Sequence, residues 1–71
     1  MNEIIRLLDV VALLEDIPEC GLRRGQVGTV VEELDSGIFE VEFSDDEGRA
    51  YALAPCPASQ LLVLHYLPEA A

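Results

Sequence analysis

Positions 38–44, IFEVEFS, alternate apolar and acidic residues with a period of two, the spacing of a strand that buries one face and wets the other. Phe39, Val41 and Phe43 therefore share the core face, and Glu40 and Glu42 share the solvated one. The preceding run, VGTVVEEL at 27–34, predicts a second strand, with Asp35, Ser36 and Gly37 as the turn between the two. A two-residue turn sets Glu40 opposite Glu33, and a three-residue loop sets it opposite Glu32; in either register two glutamates face each other. Asp45, Asp46, Glu47 and Gly48 form the next turn, followed by a strand at 49–54 in which Tyr51 and Leu53 share a face. Pro55, Cys56 and Pro57 then end that strand, Ala58 to Gln60 turn, and 61–67 make a last apolar strand before a tail after Pro68 that is expected to fray.

The first third of the chain is less regular. Ile4, Leu7, Leu8, Val11 and Leu14 fit a helical stripe, whereas the β-branched pair Val10 and Val11 favours a strand over 8–14, which is the reading adopted. The polar stretch EDIPECGLRRGQ reads as one long loop. Five short antiparallel strands, a long first loop and two tight hairpins predict a mostly β, five-stranded SH3-like barrel. Its expected core is Val30, Phe39, Val41, Phe43, Leu53, Leu61 and Val63.

At 71 residues the chain has the length for one core, so residues 1–71 are read as a single domain. The sequence LLDVVALLEDIPECGLRRGQVGTVVEEL, together with FEVEFSDDEGRAYAL and SQLLVLHY, resembles a family of small bacterial proteins called domain of unknown function 4926. That resemblance implies an SH3-like barrel and carries no catalytic residue. The shorter segment GQVGTVVE is similar to the glycine-turn-strand of KOW-type barrels in ribosomal and transcription proteins, which implies contact with nucleic acid.

Charge argues against that last implication. Fourteen Asp and Glu face four Arg and no Lys, a formal net charge of −10. Binding to a phosphate backbone rests on several cationic contacts that release counterions, and anionic membranes make the same demand. Neither nucleic acid nor membrane is an expected partner, whereas a basic protein surface would be steered toward this chain. No secretory signal or membrane span is read, so a cytoplasmic protein with reduced Cys20 and Cys56 is expected.

Candidate chemistry is sparse. Cys20, Cys56 and His65 are the soft ligands, too few and too widely spaced for a structural zinc site. Cys56, between prolines, is placed at a strand end, and His65 is read as a half-buried residue of an apolar strand. Asp45, Asp46 and Glu47 lack the spacing of a calcium loop, and Gly21, Gly25 and Gly28 lack the Lys that completes a phosphate loop, so the glycines are assigned to turns. Arg23 and Arg24 are expected in ion pairs. No metal, cofactor or catalytic residue is assigned.

What remains is a non-catalytic interaction module: an accessory, inhibitor or antitoxin-like subunit, open to homo-oligomerisation, whose partner is a basic protein. Its expected binding face is Glu40, Glu42, Asp45, Asp46 and Glu47, with Tyr51 as an aromatic anchor. The alternative is a small enzyme or metal-dependent binder built on Cys20, Cys56 and His65.

Overall fold

The computed structural model describes residues 4–68. Five strands, β1 (Val10–Leu13), β2 (Val27–Asp35), β3 (Ile38–Ser44), β4 (Ala50–Pro57) and β5 (Leu61–Val63), form one antiparallel sheet in the order β4-β3-β2-β1-β5. With a 3-10 turn, Ala58–Gln60, before the last strand, this is the strand order of an SH3-like barrel. The described part of the first segment holds no α-helix. Its strand begins at Val10 rather than Leu8, because Arg6 to Asp9 form a turn closed by the Asp9 N–H on the Arg6 carbonyl at 3.1 Å, with Leu8 left-handed at φ 72°. A backbone in that conformation cannot continue a ladder.

Inward residues of every strand meet in one cluster: Val11, Leu13, Val30, Phe39, Val41, Phe43, Ala54, Cys56 and Leu61. Val63 packs partly buried against it. Two further members, Ile17 and Leu22, come from the supposedly polar loop. They bridge to each other across the 3-10 turn Pro18–Cys20, and both are buried. The loop is therefore an Ω-shaped plug that closes the core, with its charged residues turned outward.

Leu53 is not in the core, being 57% exposed. The cause lies in the β3–β4 register. Phe43 pairs with Ala52 but Ser44 with Ala50, so Tyr51 is the extra residue of a bulge. From there Val41 pairs with Ala54 and Phe39 with Cys56, which puts the small residues of β4 beneath the large ones of β3 and turns Leu53 outward beside Glu42. The prolines do not end β4 either: Pro55 pairs with Glu40 and Pro57 with Ile38. Because β4 is an edge strand, a missing N–H can face away from the sheet without removing a ladder bond. Cys56 accordingly lies within the strand, fully buried.

Gly28 also departs from its assigned role. It is a buried member of β2, and a β-carbon there would stand 2.6 Å from Val41 Cγ1 and 2.8 Å from the Glu42 carbonyl oxygen. Gly21 and Gly25 do occupy left-handed turn positions. β5 stops at Val63, since the Leu64 N–H bonds the Val10 carbonyl and β1 offers no residue beyond it. His65 is thus exposed past the strand end. The tail beyond Pro68 lies outside the described residues.

Candidate functional site

The β2–β3 hairpin fixes the acidic face. Asp35 pairs with Ile38 across the two-residue turn Ser36 and Gly37, and a register shift between Glu33 and Asp35 then sets Glu40 opposite Glu32 and not Glu33. A second shift follows between Val30 and Glu32, after which Glu42 faces Thr29. Side chains directly opposite on one face stand about 5 Å apart at Cβ, so Glu32 and Glu40 are close like charges, with Glu42 one strand step along. Among the described residues no cation or donor pairs with the carboxylates of Glu32, Glu40, Glu42 or Asp46.

The turn carboxylates divide by role. Asp45 Oδ1 accepts the backbone N–H groups of Glu47 and Arg49, each at 2.9 Å, while its own N–H donates to the Arg49 carbonyl at 2.8 Å. It shapes the loop, and the carboxylate is occupied in doing so. Glu47 reaches Arg49 across 3.8 Å in a solvent-exposed pair that contributes little to stability. Asp46 is left exposed at the tip.

Tyr51, 48% exposed, is tied down at both ends of its ring. Its hydroxyl accepts a hydrogen bond from Gln26 Nε2 at 3.0 Å, and the ring lies 6.4 Å from that of Phe43, tilted 41°. The bulge breaks the alternation of β4, so Tyr51 turns with Ala52 to the side of Phe43, where the first loop meets the strand, and does not share the face of Leu53 as the sequence suggested. Such a ring offers a rigid exposed face with little rotamer entropy left to lose on binding.

Two exposed neighbours complete the surface and were misplaced by sequence reasoning: Leu53 beside Glu42, and Pro55 beside Glu40. The signal was present in the spacing. If Pro55 and Pro57 occupy an edge strand, period two puts Leu53 on their face and Ala54 and Cys56 on the other.

The remaining chemistry is dispersed. Cys56 Sγ is buried and lies 3.7 Å from the Ala54 carbonyl, and burial, with a smaller contribution from Cys20, pushes its thiol pKa up. Such a thiol is a poor nucleophile and a poor metal ligand at neutral pH. Cys20 is exposed on the 3-10 turn of the first loop. Among the described residues no three of His, Cys, Asp and Glu gather as a metal site. Arg23 and Arg24 are exposed and, among the described residues, make no ion pair; the Arg24 N–H donates to Asp16 Oδ1 at 2.8 Å, so the loop holds this residue by its backbone. No described helix is long and apolar enough to cross a membrane.

No curated protein and no solved structure matches the chain. One family model does, over residues 7–63 and hence most of the sequence, and the chain belongs to that family, the domain of unknown function DUF4926.

Proposed function

We propose that this protein is a non-catalytic interaction module that binds a basic surface on a partner protein, as an accessory, inhibitor or antitoxin-like subunit in the cytoplasm. The observation that carries the reading is the set of carboxylates with no cationic partner among the described residues, Glu32, Glu40, Glu42 and Asp46, on a chain of net charge −10. Placing Glu32 directly opposite Glu40 destabilises the free hairpin, and a cation between them removes that penalty. Tyr51 adds a fixed aromatic ring at the neighbouring rim, beside Phe43, able to receive Arg or Lys over its face. Asp45 and Glu47 belong to the site as the frame of its loop.

The same charges disfavour nucleic acid and anionic membranes as partners. Capture on the immobilised protein tests the reading: basic proteins released by raised salt are expected. Recovery only of neutral or acidic proteins that withstand salt would refute it.

A further inference from the structure

Resting on that reading, we infer that the partner presents a basic amphipathic helix, with arginines at i and i+4 beside aliphatic residues at i+3 and i+7. The binding face of the sheet is two parallel stripes rather than an acidic patch alone. On β3 stand Glu42 and Glu40; beside them on β4, residue for residue, stand Leu53 and Pro55. Leu53 is more than half exposed, an aliphatic side chain held in water directly next to a carboxylate.

Complementing both stripes needs a partner that shows cations and aliphatic side chains in adjoining rows on one surface. A single strand cannot do this, because its alternate side chains point to opposite faces. A helix can, since its i, i+4 row adjoins its i+3, i+7 row. The repeat also matches: two residues along β3 advance about 6.8 Å, and four along a helix about 6 Å. Arginine suits the acidic row better than lysine, for its planar fork binds carboxylate and its weaker hydration tolerates an apolar neighbour.

The fold discourages the main competing mode. Pro55 and Pro57 remove two N–H donors from the C-terminal half of the β4 edge, and the Tyr51 bulge distorts the other half. An added strand would find few partners there. The occupant therefore lies on the face and not along the β4 edge. Charge complementarity sets its sign, since the face carries Glu32, Glu40 and Glu42.

Three synthetic peptides test this by fluorescence anisotropy near physiological salt. One is a helical peptide with arginine and leucine rows adjoining, the second has the same composition with the two rows on opposite helix faces, and the third is oligo-arginine. The adjoining-row peptide is expected to bind about tenfold tighter than the other two, and Leu53→Ser to erase that preference while leaving oligo-arginine binding unchanged. Pro55→Ser serves as a second variant, and circular dichroism checks that each variant folds. Equal binding of the two helical peptides, or a preference insensitive to both substitutions, would overturn the helix assignment while leaving the acidic-face reading intact. Failure of all three peptides to bind would overturn both.

Discussion

At Gly28 the sheet leaves no room for a β-carbon, because Val41 Cγ1 and the Glu42 carbonyl already stand within 2.8 Å of where it would lie. Gly28→Ala should cost roughly 1–3 kcal/mol through overpacking, seen as a lower urea midpoint with an unchanged slope. A midpoint equal to that of the unaltered protein would show that the hairpin yields. Cys56 offers a second test at this scale. Its folded pKa lies above the ordinary 9.0, so above pH 9 unfolding releases a proton and stability falls as pH rises; below that pH the contribution is fully present. Cys56→Ala should flatten this alkaline decline in thermal scans. A thiol reagent should label Cys20 at once and Cys56 only as the chain unfolds; rapid labelling of both would contradict the buried placement. Neither residue's role was legible in the sequence. A glycine in a strand looks like a glycine in a turn until its neighbour across the sheet is known, and a cysteine between prolines looks like a strand end.

Elements were legible where one strand carried both signals of its own exposure. Ile38–Ser44 alternates phenylalanine and valine with glutamate, and its phase is as read. β4 lacks that contrast: Leu53 and Pro55 on one side and Ala52, Ala54 and Cys56 on the other are all apolar, so size suggested the wrong inward face. Pairing decides it, because the large residues of β3 leave space only for small ones below them. The loop plug was missed for a related reason, since Ile17 and Leu22 sit singly among polar residues and show no period. The hairpin's facing glutamates were anticipated in both registers, and the structure selects Glu32 with Glu40. Glu32→Lys should convert that repulsion to attraction and stabilise the domain by roughly 0.2–1 kcal/mol in urea titrations at low salt. The gain should shrink as salt screens the pair. No gain at low salt would mean that the two side chains already splay apart into solvent.

Across the whole molecule, the sequence's charge and the structure's topology meet on one side of the sheet. A chain of net charge −10 presents on β2 and β3 carboxylates that have no cationic partner among the described residues, and the sheet brings an exposed leucine and proline alongside them. Long-range attraction from such a surface raises association rates, while the apolar row governs how long a complex lasts. The site was half legible for that reason: charge is a property of composition, but which apolar residues flank it depends on how β4 pairs with β3, which only the edge-strand prolines Pro55 and Pro57 signal in the sequence. The most direct test compares a captured partner's affinity for the unaltered protein with that for the Glu40→Gln, Glu42→Gln, Asp46→Asn variant, each measured at about 0.1 M and about 1 M salt, where the screening length falls from about 10 Å to about 3 Å. Weaker binding and a shallower salt dependence in the variant are predicted; unchanged affinity with unchanged salt dependence would contradict the acidic-face account.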